Sequence, residues 1–454
     1  MTGSDMRLDT NPNRAPVTDF KKSDIYRRRV HDLIPGGAHT YSKGDDQFPI
    51  LSPGAIARGK GAYIWDVDGN RFLDVAMGLA SVSLGHAYEP VLKRVREELE
   101  KGVNFQRPSY IELEMAEKFV SLIPGPDMIK FAKNGSSATT AAVKICRAAT
   151  GRLKVAFPSD HPFYSYDDWF IGKSACPRGV PSHIQDLSLV YPSKDLNALS
   201  SLFAQYPGEI ACVISEPERP DGIPDGFLDK IIDLCHENGA LFIQDEMITG
   251  FHTGFPGSIT KYGSKPDLAT WGKGIANGFS FCALTGKREY MELGGIRNEG
   301  SEKFFLLSTT HGGETHAIAA GIATIDVYES QNVVSHLHTI GRDVINQCSQ
   351  LIDKSGLSAY INMQRADWMP VFVFKDLNGE VSHPLRGVFM QEMIKWGVLF
   401  QGGFTPCFSH TRADVSYFAE AFGRSLEVYK KALEIGWEKV LVGPAIKPVF
   451  RKKL

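Results

Sequence analysis

The sequence Leu-Phe-Ile-Gln-Asp-Glu-Met-Ile-Thr-Gly-Phe-His occupies residues 241–252, and Lys-Pro-Asp-Leu-Ala-Thr-Trp-Gly-Lys-Gly follows at 265–274. The apolar run at 241–243 predicts a strand buried on both faces, and this strand ends at Asp245. A second short apolar run precedes Lys273. Open α/β sheets bind ligands beyond the carboxyl ends of their strands, so this acid and this amine are candidate site residues.

This pair of side chains matches the needs of one cofactor. Pyridoxal phosphate requires a lysine that bonds to its aldehyde and an acid that faces its pyridinium nitrogen. The acid keeps that nitrogen protonated, so the ring can accept electrons from a substrate carbanion. Glycines on both sides of Lys273 let the backbone approach a flat ring closely. On these two residues alone, a salt-bridged buried Asp245 and a surface lysine beside a turn explain the pattern equally well.

Longer motifs in this region resemble the class III aminotransferases. They read Asp-Glu-Met-Ile-Thr-Gly-Phe at 245–251, Pro-Asp-Leu at 266–268 and Gly-Lys-Gly-Ile-Ala-Asn-Gly at 272–278. The resemblance covers about Ile34 to Val415 and is greatest to the branch that contains glutamate-1-semialdehyde 2,1-aminomutase. It implies that Lys273 forms the internal aldimine with pyridoxal 5′-phosphate. It also implies that Asp245 pairs with the ring nitrogen and that Met247 lies against the ring face.

A strand, a Gly-Ser turn and a helix predict an anion site upstream of these motifs. The apolar pattern at 128–132 predicts the strand, Asn134-Gly135-Ser136-Ser137 forms the turn, and residues 138–150 predict the helix. Backbone N–H groups at a helix start point outward and favour negative charge. Alone, such a turn is usually only a helix cap. The resemblance implies that Asn134, Gly135 and Ser136 bind the cofactor phosphate, although Ser137 stands where the family has a glutamate.

Three further assignments depend on the resemblance. In the family an aromatic ring stacks on the cofactor. His161, Phe163 and Tyr164 are candidates for this ring, and Phe163 is favoured. The alternative is that these rings only pack in the core. Glu216, in a Glu-Pro pair after a predicted strand at 210–215, is a candidate substrate residue. Thr310 matches a threonine that reaches the cofactor phosphate of the neighbouring subunit, which predicts a homodimer with shared active sites.

The N-terminal segment gives two more candidate substrate residues, Tyr41 and Lys43. In the aminomutase the matching segment supplies an arginine that holds the substrate carboxylate, and Lys43 occupies that position here. Lysine lacks the bidentate fork of arginine, so the exchange is not conservative at a carboxylate site. The segment around Gln401 also lacks the acidic residue of the aminomutase. A solvated loop lysine is the alternative interpretation of Lys43.

The alternation of strands and helices from about 128 to 285 predicts an α/β fold with a mainly parallel, doubly wound sheet. The resemblance implies the type I fold of pyridoxal-phosphate transferases, in which a smaller α+β domain is built from both termini. The expected organisation is a flexible N-terminal arm at 1–20, an N-terminal segment of the small domain at 21–75, a large cofactor-binding domain at 76–329 and a C-terminal small domain at 330–454.

Composition narrows the class of protein. The 454 residues are 43% hydrophobic and 22% charged, which permits a sizeable core, and the net charge of −2 gives no reason to expect nucleic acid or an anionic membrane as partner. No apolar segment has membrane-spanning length and no signal peptide is evident. Seven cysteines without Cys-x-x-Cys spacing indicate reduced thiols in the cytoplasm, and no metal site is expected.

The function predicted from these features is a pyridoxal-phosphate aminotransferase. It would move an amino group from an amino donor to a small, polar carbonyl acceptor through Lys273. Glutamate-1-semialdehyde 2,1-aminomutase and a racemase on the same scaffold are two alternatives, and an inactive binding protein derived from the fold is a third. The sequence does not identify the donor or the acceptor.

Overall fold

A computed structural model describes residues 15–297 and 299–453. The predicted arm at 1–20 therefore lies largely outside the described residues. The chain forms two compact units. The first unit comprises residues 15–79, 84–88 and 335–449, so an N-terminal and a C-terminal segment of the sequence build it. The second unit comprises residues 80–83, 89–297, 299–334 and 450–453.

Thirteen strands occur within the described ranges. They are β1 (Ile56–Lys60), β2 (Tyr63–Asp66), β3 (Arg71–Asp74), β4 (Met128–Ala132), β5 (Lys154–Pro158), β6 (Ser188–Tyr191), β7 (Ile210–Ser215), β8 (Leu241–Glu246), β9 (Leu268–Trp271), β10 (Cys282–Gly286), β11 (Ile361–Gln364), β12 (Val371–Phe374) and β13 (Val398–Leu399).

Ten helices of ten or more residues occur in the same part of the chain. They are α1 (Lys21–Val30), α2 (Glu89–Leu99), α3 (Tyr110–Leu122), α4 (Gly135–Thr150), α5 (Leu196–Gln205), α6 (Phe227–Glu237), α7 (Thr315–Ser330), α8 (Val333–Ser355), α9 (His383–Lys395) and α10 (Arg412–Ile435). Shorter helices lie at Asp168–Ile171, Ser182–Gln185, Ser258–Tyr262 and Arg288–Met291.

The second unit is built on a seven-stranded sheet in the order β4-β10-β9-β8-β7-β5-β6. The five strands from β9 to β6 are parallel neighbours, whereas β10 is antiparallel to both β4 and β9. Side chains of β8 alternate between two apolar clusters: Leu241 and Ile243 pack in the cluster that contains α4, and Phe242 packs in the cluster that contains α5 and α6. Both faces are thus covered by helices, and the predicted doubly wound, mainly parallel sheet is confirmed.

The first unit is α+β, as predicted. Its four-stranded sheet has the order β1-β2-β3-β13, and β11 pairs with β12 in a separate hairpin. The sequence Asp68-Gly69-Asn70, between alternating apolar residues, predicts a hairpin turn, and in the structure it joins β2 to β3. Gly69 has a φ of 94°, which a glycine adopts without strain. Its core combines aliphatic side chains with aromatic ones, including Phe372, Phe389 and Phe422.

The type and position of Ser23 predict that it caps a helix running to about Leu33, but this prediction is wrong. α1 already begins at Lys21, so Ser23 lies inside the helix and is buried. Its hydroxyl donates to Asp68 Oδ2 at 2.6 Å, and its backbone N–H donates to the same oxygen. The Ser23 side chain therefore binds a distant residue and does not accept a nearby backbone N–H, as a capping serine would.

Candidate active site

Lys273 directly follows β9 and Gly272, and it begins a 3₁₀ turn that ends at Ala276. Its φ of 45° lies in the left-handed region, which is costly for a side chain with a Cβ and is typical of functional sites. Gly272 is extended, and a Cβ at this position would lie 2.6 Å from Met247 Sδ and 2.8 Å from Cys282 Sγ. Only glycine therefore lets the backbone pack this closely beside the lysine.

Asp245 lies opposite Thr270 in the parallel pair formed by β8 and β9. Its side chain is buried. Oδ1 accepts a hydrogen bond from Thr270 Oγ1 at 2.8 Å and another from the Met247 backbone N–H at 3.0 Å. Among the described residues, Oδ2 has no hydrogen-bond partner. The carboxylate is therefore oriented through one oxygen, and the other remains available to a donor from a bound molecule.

Burial and neighbouring carboxylates shift the pKa values of both central groups, Asp245 and Lys273. Burial raises the pKa of Asp245 to about 6, and the Glu216 carboxylate contributes in the same direction. Burial lowers the pKa of the Lys273 amine, although Glu216 and Asp245 oppose this shift. The amine thus loses its proton more readily than a solvated lysine does, as a nucleophile or a general base requires.

The start of α4, the anion cup, is the segment that the sequence predicts to bind an anion. Asn134 Oδ1 accepts from the Ser137 N–H at 2.9 Å and so caps the helix. The N–H groups of Gly135 and Ser136 have no acceptor within the described ranges. A Cβ at Gly135 would lie 3.1 Å from Met247 Sδ. Met247 therefore packs against both Gly135 and Gly272, which brings the cup, Asp245 and Lys273 into one cluster.

The three candidate aromatic rings have different environments. His161 stacks on Tyr164 with ring centroids 3.6 Å apart, and both side chains are buried. The Phe163 ring is 48% exposed and packs edge-on against Phe170. Phe163 is thus the most exposed of the three rings, and its role in stacking on the cofactor stays a prediction.

His161 also connects this segment to Glu216. Its Nδ1 accepts the Phe163 N–H at 3.1 Å, so the ring hydrogen is on Nε2. Nε2 lies 2.8 Å from Glu216 Oε2, without the alignment of a hydrogen bond. Burial raises the pKa of the Glu216 carboxyl group. The pKa is nevertheless lowered overall, because His161 and Lys273 stabilise the carboxylate anion. Sequence reasoning gave Glu216 a substrate role and did not connect it to His161.

The other predicted site residues lie on loops. Thr310 is exposed, and its carbonyl accepts from Asn104 Nδ2 at 3.1 Å. Tyr41 and Lys43 belong to the first unit, where they flank Ser42 in a 3₁₀ turn and are exposed. Gln401 Nε2 donates to the Ser42 carbonyl at 2.7 Å and holds this turn.

Thr270 is a site residue that the sequence reasoning missed. It orients Asp245, and its position three residues before Lys273 in a buried strand was a usable signal, since a buried hydroxyl needs a partner. Neither a metal-ligating cluster nor a helix long and apolar enough to cross a bilayer is found in residues 15–297 and 299–453.

Solved structures of known proteins share this fold. The computed structure matches the FumI protein of Sphingopyxis sp. MTA144 with a TM-score of 0.83 and 24% identity, over 94% of this chain and 99% of that one. It matches a glutamate-1-semialdehyde aminomutase from Pseudomonas aeruginosa PAO1 with a TM-score of 0.79 and 19% identity, over 90% and 94%. At these identities the likeness concerns the fold alone, and the fold is that of type I pyridoxal-phosphate enzymes.

The family follows from the sequence. The model of the class-III aminotransferases matches residues 41–176 and 178–363, and the chain belongs to this family. A 3-aminobutyryl-CoA aminotransferase of Cloacimonas acidaminovorans (strain Evry) is 28% identical over 411 residues, which cover 88% of this chain and 95% of that protein. The predicted resemblance, the enzyme class and the cofactor are thereby confirmed: the protein is an aminotransferase that depends on pyridoxal phosphate.

Proposed function

We propose that this enzyme moves an amino group from an amino donor to a small, polar carbonyl compound, with Lys273 as the residue that anchors the cofactor. The observation that carries the proposal is the cluster around Met247. Its sulfur touches the glycine before Lys273 and the glycine at the start of α4, and its N–H orients Asp245. One side chain thus joins the amine, the acid and the anion cup.

The residues present fit pyridoxal phosphate. Asp245 Oδ2 would accept from the ring nitrogen, the Gly135 and Ser136 amides at the Asn134-capped helix start would bind the phosphate, and Met247 and Phe163 would pack on the ring. Thr310 would serve the phosphate of the partner subunit. When bound, the cofactor supplies an electron sink and carries the amino group between two substrates.

The chain itself contributes covalent anchoring and proton transfer. The lowered pKa of Lys273 favours the free amine, which would anchor the cofactor and would accept a proton from the substrate carbon. Asp245 stays anionic at neutral pH because Thr270 and the Met247 N–H stabilise it, even though burial raises its pKa to about 6. Tyr41, Lys43 and Glu216 remain our candidates for contacts with substrate.

Intermolecular transfer is the reaction that these residues support best. The curated relative is named an aminotransferase, and Lys43 replaces the bidentate arginine expected of an aminomutase. The name of that relative places the amino group on carbon 3 of an acyl chain, so β-amino compounds are a substrate class to include. A racemase would return the same skeleton with its amino group retained, whereas an aminotransferase releases a keto compound.

The test is a half-reaction without an acceptor. Purified enzyme is mixed with α-amino acids, β-amino acids and simple amines one at a time, and keto products are quantified. We expect stoichiometric release of one keto compound per site from at least one donor. Glutamate-1-semialdehyde alone should give little 5-aminolevulinate. Rapid formation of 5-aminolevulinate, with no half-reaction from any donor, would reverse the assignment in favour of the aminomutase.

A further inference from the structure

Lys133 lies between the end of β4 and the start of α4, directly before the residue that caps the helix. Its ammonium forms an ion pair with Glu314 Oε2 at 2.7 Å, and each of these side chains is only 19% exposed. The Ser280 hydroxyl donates to the Lys133 carbonyl at 2.6 Å, so the backbone is held as well. Lysines are mostly solvated. Here a positive charge is instead held in a sheltered position on the residue next to the anion cup.

Glu314 determines where this charge lies. The hydrogen bond from Lys133 lowers the pKa of Glu314, so the acid is a stable anion. Glu314 directly precedes α7, and Leu307 of the same segment packs against the side chains around Met247. These side chains are Ala132, Ala138, Met247 and Cys282. The segment that carries Glu314 therefore lies against the cluster that joins the anion cup to Lys273.

Cys282 gives a separate indication that the Lys133 charge reaches this cluster. Cys282 begins β10 and lies opposite Ala132 in the antiparallel pair with β4. A Cβ on Gly272 would lie 2.8 Å from its sulfur. Burial raises the pKa of the Cys282 thiol to about 12, and the positive charges of Lys273 and Lys133 oppose this shift. Both amines therefore lie within electrostatic range of one sulfur atom.

A phosphate in the anion cup needs more positive charge than the backbone supplies. The N–H groups of Gly135 and Ser136 have no acceptor among the described residues. A helix start carries about half a positive charge, whereas a phosphate monoester carries roughly two negative charges at neutral pH. Lys144, further along α4, already donates to two backbone carbonyls, and Lys130 is exposed on β4. Lys133 is the nearest cation along the chain.

We propose that Lys133 supplies the positive charge that binds the cofactor phosphate at the anion cup, and that Glu314 holds its ammonium in place for this role. The inference rests on the proposed binding of the phosphate by the start of α4. An ammonium has three N–H donors, so Lys133 can keep its bond to Glu314 and also donate to a phosphate oxygen. The sequence motifs single out residues 134–136 and leave Lys133 without a role.

The experiment compares pyridoxal 5′-phosphate with pyridoxal, which lacks the phosphate. Both carry the aldehyde that Lys273 requires, so the ratio of their dissociation constants isolates the contribution of the phosphate. The constants are measured on the cofactor-free chain by quenching of tryptophan fluorescence. The variants are Glu314→Gln, Lys133→Arg and the double variant Lys133→Met/Glu314→Gln. The double variant removes both charges, so it leaves no unpaired acid beside the cup.

Lys154→Met is the matched control. Lys154 forms an ion pair with Glu209 at 2.7 Å, and its side chain is 18% exposed, so it matches Lys133 in both respects. It begins the parallel strand β5, whereas such sheets bind ligands beyond the carboxyl ends of their strands. Lys154→Met should bind both ligands as the wild type does.

We expect Glu314→Gln to bind pyridoxal 5′-phosphate at least as tightly as the wild type, because it removes a charge that repels the phosphate. The double variant should bind it about ten- to a hundredfold more weakly than Glu314→Gln does, the range for loss of a charged donor. Lys133→Arg keeps the charge and should retain most of the affinity. Affinity for pyridoxal should stay within about twofold in every variant.

The proposal is overturned if the double variant binds pyridoxal 5′-phosphate as tightly as Glu314→Gln does, or if both ligands weaken by the same factor. It is also overturned if Glu314→Gln alone causes the whole loss, since the ion pair would then act only as a structural link. Should the double variant fail to fold, Lys133→Gln against the wild type decides by the same ratio. A wild type that binds both ligands equally refutes the anion cup and this proposal with it, whereas a preference that survives in the double variant refutes the role of Lys133 alone.

Discussion

Lys273 combines a strained backbone with a destabilised charge, and both features favour reactivity over stability. Replacing it with alanine keeps the left-handed φ and removes only the amine. We expect Lys273→Ala to fold normally and to lose at least about a hundred- to ten-thousandfold in turnover, the range for loss of a general base. Borohydride reduction and peptide mapping of the wild type check the assignment. A cofactor label on any other lysine would contradict it.

Asp245 gives a pH-dependent prediction for the cofactor-free protein. Its pKa rises to about 6 on folding, so the folded state binds this proton more tightly than the unfolded chain does. The raised pKa of Asp245 therefore contributes fully to the free energy of unfolding below about pH 4, and this contribution is lost as the pH rises through 6. We expect cofactor-free Asp245→Asn to exceed the wild type in stability by up to about 3 kcal/mol above pH 7, and by progressively less towards pH 4.

Urea unfolding of both proteins from pH 4.5 to 8 measures this difference, and profiles that run parallel over that range would refute it. The holoenzyme should behave in the opposite way. Asparagine cannot supply the negative charge that faces the ring nitrogen, so Asp245→Asn should retain cofactor and lose most of its activity. Turnover within a few-fold of the wild type would mean that Asp245 has another role.

The His161–Glu216 contact should behave as a coupled pair. Removing one partner leaves a buried polar or charged group uncompensated, which costs about 3 kcal/mol or more, whereas removing both does not. We therefore expect His161→Gln and Glu216→Gln each to destabilise the protein, and the double variant to be destabilised by less than their sum. Denaturant unfolding of the four proteins gives the coupling energy. Additive effects would show that the two side chains act independently.

At the scale of elements, the start of α4 should matter for both stability and cofactor binding. Asn134→Ala removes the side-chain oxygen that accepts the Ser137 N–H and caps the helix. We expect the free energy of unfolding to fall by about 1 kcal/mol. Binding of pyridoxal phosphate should also weaken. Asp195→Ala is the matched control, since Asp195 caps α5 in the same way through the Ala198 N–H. It should cost similar stability without changing cofactor affinity. Equal loss of affinity in both variants would reject the anion cup.

Elements with a strong local pattern were predictable from the sequence. The runs at 241–243 and 268–271 are apolar because their strands are buried on both faces, and the glycines around Lys273 follow from the close packing there. The sequence predicts that α4 begins at residue 138, three residues after its observed start at Gly135. The helix begins at the turn that Asn134 caps, and the spacing of apolar residues gives no signal for this turn. Interactions between distant segments, such as Thr270 with Asp245 or Ser23 with Asp68, leave no periodic signal.

At the scale of the whole molecule, the predicted homodimer places Thr310 at the phosphate of the partner subunit. In the second unit, the side chains of Tyr110 and Phe305 are 82% and 65% exposed. Large apolar side chains on the surface are typical of a face that another subunit covers. Light scattering at micromolar concentration should give twice the mass of one chain. A fully active species with the mass of a single chain would refute the shared site.

A complementation experiment tests the sharing directly. Thr310→Glu places a negative charge beside the phosphate and should inactivate the homodimer by repulsion. Lys273→Ala inactivates it for a different reason. If each site combines Lys273 of one subunit with the partner's Thr310, a heterodimer of the two variants contains one intact site. Co-expression should then recover about a quarter of wild-type activity, because half of randomly paired dimers are mixed and each has one of two sites. If Thr310 serves its own subunit, both sites of the heterodimer are defective and no activity returns.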